Sequence, residues 1–322
     1  MATLKCSLMI EGQDGLTWPH WKRLVAETED LGFAGLFRSD HFTNAQPPDK
    51  ASLEMIVSLT YLADHTQRLH FGPLVAPVSF RHPTLLARQA AALDDLSGGR
   101  MILGVGAGWQ EREHRLFGHE LGDIPTRMQR LEEALEVITR LLNSDEPVSY
   151  SGRFFQLDEA TLLPRPQRPG GPPILIGGNG ARRTLPLVAR YARIWNGLAM
   201  SPEEFREHGQ KLDALLSAGG RQPSEVKRTL MLTLFFGRDQ AELEKSMAWR
   251  LRDPKLAGLS LDEAVRQLVY GPRPSLAGSA EQILARLQEY AEAGVEEVML
   301  QWFDIDDLEG LRAFGKSVVQ RL

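Results

Sequence analysis

The chain has 322 residues, 43% of them hydrophobic and 25% charged, with a formal net charge of −5. That content supports a large buried core, in one big α/β domain or two ordinary ones, and the mild acidity argues against a nucleic-acid partner. The single cysteine, Cys6, excludes an intramolecular disulfide framework, and its apolar setting predicts an inert buried thiol.

The opening MATLKCSLMIEG lacks the long apolar centre and small-residue cleavage site of a secretory signal, and no apolar stretch reaches the roughly eighteen residues that a bilayer span needs. The expectation is a soluble cytoplasmic protein with no membrane contact. Arginines clustered at 165–168 and 182–183 read first as solvated surface.

In chain order, a strand at Lys5–Ile10 leads to a helix at Trp18–Leu31, then a strand at Gly35–Ser39 and a helix at Leu53–His65. A strand at Leu69–Val75 precedes a helix at Thr84–Leu96, and a strand at Met101–Ala107 precedes one at Arg127–Leu142. The strands Ile174–Gly177, Ile194–Leu198, Leu230–Phe236 and Glu297–Trp302 alternate with helices at Arg182–Tyr191, Pro202–Ser217, Ala280–Ala293 and Asp307–Gln320. Short apolar runs rich in Val, Ile, Leu and Phe alternate with longer segments of helical period, which predicts an α/β (β/α)8 TIM barrel over residues 1–322 as one domain. The stretches AETEDLGFAGLFRSDH and EYAEAGVEEVMLQWFD echo each other, each running from a helix through a glycine cap into a buried strand.

Glu146–Pro173, Gly219–Pro223 and Asp253–Ser279 exceed a minimal barrel. The first holds the strand-like VSYSGRFFQL and a proline-rich loop, and the third is either a lid at the catalytic face or a spacer.

Four constellations carry candidate chemistry. In GVGAGW, Gly104 and Gly106 fit the first two glycines of a dinucleotide fingerprint, but Trp109 occupies the third glycine's place and blocks the close helix–strand packing it serves. The alternative is that these strand glycines let a planar ligand approach the barrel mouth, or fit a crowded interior. In FRSDHF, Asp40 and His41 end the second strand, where a barrel places catalytic groups, and histidine suits acid/base work near neutral pH. In LVAPVSFRHP, Arg81 and His82 either contact an anion or cap the following helix, the capping role being preferred. In IGGNGARR, Gly177, Gly178 and Gly180 leave backbone N–H groups free to form an anion nest beside Arg182 and Arg183. No histidine or cysteine spacing suggests a metal site, and no nucleophile elbow suggests a hydrolase.

The motifs SDHF, RHPTLLARQAAALDDLSGGRMILGVGAGWQEREHRLFG and IGGNG…VARYARIWNG resemble the bacterial luciferase-like monooxygenase superfamily, over most of the chain. GVGAGWQE is closer to the branch that uses the deazaflavin coenzyme F420 than to the FMN-dependent monooxygenases. The resemblance implies a luciferase-like barrel with inserted loops around its C-terminal face, a homodimer, and a small-molecule substrate. Carried over by position, His41 is the proton-transferring residue and Asp40 contacts the deazaflavin. Ala76, after a bulged third strand with a non-proline cis peptide near Pro73–Leu74, touches the ring. Ala107 and Gly108 line the ring face, and Gly177, Gly178, Gly180 and Ala181 cradle the cofactor phosphate. Trp109 either stacks on the ring or walls the substrate pocket. The sugar-phosphate dehydrogenases of this branch carry tryptophan, glutamate and asparagine where this chain has Ala45, Trp109 and Arg112, which argues against glucose 6-phosphate as substrate. FMN-dependent monooxygenation and non-catalytic flavin binding are the competing readings.

Overall fold

The structure is a computed structural model that describes residues 4–322. The strands are β1 (Lys5–Ile10), β2 (Gly35–Arg38), β3 (His70–Pro73), β4 (Ala76–Pro77), β5 (Leu103–Gly106), β6 (Val148–Ser151), β7 (Gln156–Ala160), β8 (Ile174–Gly177), β9 (Ile194–Leu198), β10 (Lys227–Phe236), β11 (Leu276–Gly278) and β12 (Glu297–Gln301). A parallel sheet runs β3-β2-β1-β12-β10-β9-β8-β5-β4, with β11 added beside β10. It closes between β3 and β5, where Phe71 bridges Met101 and the Ile102 N–H donates to the Phe71 carbonyl at 2.8 Å.

All eight expected barrel strands are present, and β1, β8 and β9 match the sequence reading to the residue. The fold is the expected (β/α)8 barrel. Met9, Phe37, Leu74, Ile102, Leu175, Ile194 and Met299 fill its interior, while a larger apolar layer joins the outer strand faces to the helices. Strands buried on both faces lose polar alternation, which is why short continuous apolar runs identified them. At the barrel's N-terminal end, buried Glu297 is satisfied by the Ser7 hydroxyl and the Lys227 ammonium. Burial and Glu297 push the adjacent Cys6 thiol upward, so it is inert at neutral pH as expected.

The barrel departs from regularity after β3. The chain meets β5 at Phe71–Met101 and again at Ala76–Val105, so five steps on one side face four on the other. That one-residue bulge contains a cis peptide at Leu74–Val75, one bond beyond the expected Pro73–Leu74. It turns Leu74 and Val75 toward the barrel mouth.

The glycines of β5 answer to this bulge, which favours the crowded-interior reading over ligand clearance. A methyl group on Gly104 would collide with the Pro73 carbonyl oxygen, and one on Gly106 would lie 2.5 Å from Val75 Cγ2. A methyl on Gly177 would also reach Val75, at 3.4 Å. These glycines seat the Val75 side chain, and the cavity lies above it.

The insertions are more ordered than a loop reading suggested. β6 and β7 form an antiparallel hairpin. Helices Glu111–Phe117, Gln240–Met247 and Leu261–Tyr270, absent from the sequence reading, complete the rim. The last two pack with β10 and β11 in a second apolar cluster of Phe235, Met247, Leu256, Ala264, Leu268, Val269 and Ala277. Among the described residues no helix is long and apolar enough to cross a membrane.

Because backbone atoms crowd Gly104, Gly104→Ala is expected to lower unfolding free energy by about 2–3 kcal/mol in urea titration. Unchanged stability with lost ligand binding would restore the ligand-clearance reading.

Candidate functional site

A cavity of about 740 Å³ opens at the C-terminal ends of the strands, the face on which barrel enzymes carry their sites. Its floor is Leu74, Val75 and Pro77 with Gly106, Ala107 and Gly108. His41 enters from the end of β2, Gly177 and Gly178 from the end of β8, and Trp249, Arg250, Arg273 and Ser275 from the inserted segment between β10 and β11. That segment therefore reaches the site, as a lid-forming insertion would.

His41 is largely buried, and its ring lines the cavity. Its Nδ1 lies 2.8 Å from Glu113 Oε1, and the second oxygen of Glu113 accepts the Phe42 N–H at 3.0 Å. Burial lowers the imidazole's pKa, but the hydrogen bond and charge of Glu113, with smaller contributions from Glu11 and Asp40, outweigh it and raise the net value. Trp109 is 61% exposed and sets its indole edge-on to His41, with ring centroids 5.4 Å apart. It faces the imidazole and the cavity together.

Asp40 is buried outside the cavity lining, with its carboxylate on the Arg81 guanidinium. Arg81 reaches Glu54 at 2.5 Å as well, so it is an internal cross-brace and not an anion contact. His82 N-caps helix Pro83–Leu96, accepting the Thr84 N–H at 3.4 Å. Burial pushes the Asp40 carboxyl up to about 6 against the pull of Arg81 and Arg38, and pushes fully buried Arg38 down to about 10. Arg38 is held by the Ser58 hydroxyl at 2.6 Å and the Ser39 carbonyl at 3.0 Å.

Ala76 is buried between the lining residues Val75 and Pro77. Ala107, Gly108, Gly177 and Gly178 line the cavity, while Gly180 and Ala181 sit on the exposed outer part of the β8 loop. Gly178 has φ +126°, which glycine adopts readily, and its N–H is spent on the Asn196 carbonyl at 2.9 Å. The Asn179 side chain pins the loop to Leu198 through bonds of 2.7 and 2.9 Å. Among the described residues, the N–H groups of Asn179, Gly180, Ala181 and Arg182 have no protein acceptor, and neither Arg182 nor Arg183 forms a salt bridge. Four unpaired amides thus lie on an exposed loop beside two arginines.

A polar chain that the sequence reading missed crosses the mouth. Thr233 donates to Gln301 at 2.9 Å, Gln301 and Gln13 donate to Glu11 at 2.6 and 2.9 Å, and Ser39 donates to Gln13 at 2.7 Å. Asn196, inside β9, donates to Thr229 at 2.8 Å. A signal existed for these residues, because each is a polar side chain in or just past an apolar barrel strand.

The fold and site together define a (β/α)8 barrel that brings a carboxylate-bound imidazole and a glycine loop to one mouth. Residues 6–297 match the family described as luciferase-like monooxygenase, and the chain belongs to that family. It is 26% identical over 316 residues to an F420-dependent glucose-6-phosphate dehydrogenase of Amycolatopsis mediterranei, covering 92% of each chain. It is 37% identical over 173 residues to 4-hydroxyprotoasukamycin monooxygenase of Streptomyces nodosus subsp. asukaensis, covering 53% of this chain and 45% of the relative. An F420-dependent secondary alcohol dehydrogenase, solved with an F420–acetone adduct, shares the fold with TM-score 0.83 at 18% identity, covering 98% of both chains.

A carboxyl raised from 3.8 to about 6 on folding contributes its full stabilisation below about 3.8 and loses it as the pH rises through about 6. Asp40→Asn has no such titration. Wild type should therefore lose stability relative to the variant across that window, as read by urea unfolding of both proteins. The opposite slope would mean that the pull of Arg81 exceeds the effect of burial.

Proposed function

We propose that the protein is an oxidoreductase using coenzyme F420 for hydride transfer to or from a small organic substrate, with His41 exchanging the accompanying proton. The observation that carries this reading is the cavity that brings a carboxylate-bound imidazole and the glycines opening the β8 loop to one barrel mouth. The dehydrogenase relative, matched along nearly the whole of both chains, supports F420 as the cofactor.

When bound, F420 supplies a deazaflavin ring that accepts or donates a hydride. Leu74 and Val75 offer that ring an apolar floor, with Ala107 and Gly108 beside it. The amides of Asn179, Gly180, Ala181 and Arg182 would take the phosphate, with Arg182 and Arg183 adding charge. His41 holds or releases the proton, and the Trp109 indole keeps water from one side of its ring. Asp40, braced by Arg81, supports the loop that carries His41 without touching the cavity. A homodimer belongs to the same reading and is supported by exposed apolar side chains on neighbouring helices, Val57 on Met55–His65 and Leu85 on Pro83–Leu96. Light scattering tests it.

The monooxygenase relative favours a second reading, with FMN as cofactor and oxygen insertion as the reaction. Optical titration of the purified protein with F420 and with FMN separates the two. Tighter F420 binding is expected, and FMN binding without F420 affinity would overturn the first reading. His41→Ala should keep its cofactor affinity and lose turnover by about a hundred-fold or more. Cofactor binding without turnover by the wild type across alcohol and carbonyl substrates would leave a flavin-binding role in place of both.

A further inference from the structure

Glu113 stands in the first turn of helix Glu111–Phe117, with its side chain only 1% exposed. An ionised carboxylate accepts hydrogen bonds and donates none, so one this deeply buried needs donors. Both of its donors come from one dipeptide, the His41 ring at 2.8 Å and the Phe42 N–H at 3.0 Å. No lysine or arginine pairs with it among the described residues.

The surroundings fix Glu113 in place. Gln110 donates to the Thr43 carbonyl at 2.8 Å, and Arg112 donates to the Asn44 carbonyl at 2.9 Å and to Asp49 at 2.6 and 2.7 Å. His114 is bonded at both nitrogens, to the Gln110 carbonyl and the Ser79 hydroxyl, each at 2.7 Å. Phe42 stacks on Phe80 with centroids 4.4 Å apart and meets Phe117 edge-on at 5.0 Å. The helix and the loop after β2 are therefore joined by hydrogen bonds and an aromatic contact.

We propose that Glu113 is the positioning residue of His41: it takes the Nδ1–H, fixes the ring's tautomer and rotation, and leaves Nε2 as the nitrogen that exchanges the proton. Nε2 has no partner among the described residues and is not sealed in, on a ring that lines the cavity. The carboxylate also favours the imidazolium that forms when Nε2 accepts a proton, which is the service a buried acid gives a catalytic histidine. The other groups facing the ring are Glu11 from the end of β1, Asp40 from the end of β2 and the uncharged edge of Trp109. All the charged ones are acidic, but only Glu113 bonds to the ring. The assignment rests on His41 as the proton carrier, and its test does not depend on the cofactor.

Long-range nitrogen–proton NMR of the cofactor-free protein, assigned with His41→Ala, reads the ring directly. The neutral ring should carry its proton on Nδ1, and it should titrate above an ordinary histidine. In Glu113→Gln the titration should fall by about one unit or more, and the acid limb of the kcat profile should move down with it. Glu113→Asp should recover part of both shifts. Turnover of Glu113→Gln should fall about ten-fold or more, with little change in cofactor affinity. A wild-type ring protonated on Nε2 overturns the proposal, as does an unchanged titration in a folded Glu113→Gln. Should that variant not fold, the wild-type tautomer decides alone. Full turnover by His41→Ala would overturn the proton-carrier reading, while the NMR result would still report on the Glu113 contact.

Discussion

The site depends on the seam where the barrel closes. Between β3 and β5 the backbones come so near that neither Gly72 nor Gly104 could carry a side chain without striking a carbonyl oxygen. This proximity lets the Phe71–Ile102 and Ala76–Val105 pairings form on either side of an extra residue. The extra residue has nowhere to go but up, and Leu74 and Val75 become the apolar floor of the mouth. The cavity is thus a consequence of closure, and its depth is set by main-chain contact.

On that floor, polar groups are arranged by contrasting means. On one side a helix turn is locked against the β2 loop, and it delivers a buried carboxylate to an imidazole. On the other a glycine turn leaves its amides without partners. The first is held in place by hydrogen bonds between the helix turn and the loop. The second is available because its donors are unpaired. A protein that must hold one group still and admit another benefits from both conditions in one mouth.

The sequence made the barrel legible because strands buried on both faces have a signature that survives without an alignment. Ile174–Gly177 and Ile194–Leu198 were readable to the residue for that reason. His41 was legible from its place at a strand end. Glu113 was not, because it lies 72 positions away, and only the docking of its helix brings the two together. Asp40 was expected to contact the cofactor and Arg81 was read rather as a helix cap than an anion contact, and their pairing in space leaves both off the cavity wall. Gly104 and Gly106 resembled a clearance for ligand, yet the clearance is filled by Val75, whose approach depends on a bulge that local sequence does not encode.

The inserted segment between β10 and β11 packs into a small apolar cluster that it shares with Phe235 of β10 and Ala277 of β11. Its contributions to the mouth, Trp249, Arg250, Arg273 and Ser275, are therefore carried on a segment anchored to those two strands. A change in that segment would alter one wall of the mouth, whereas His41, Glu113 and the β8 glycines stand on other elements.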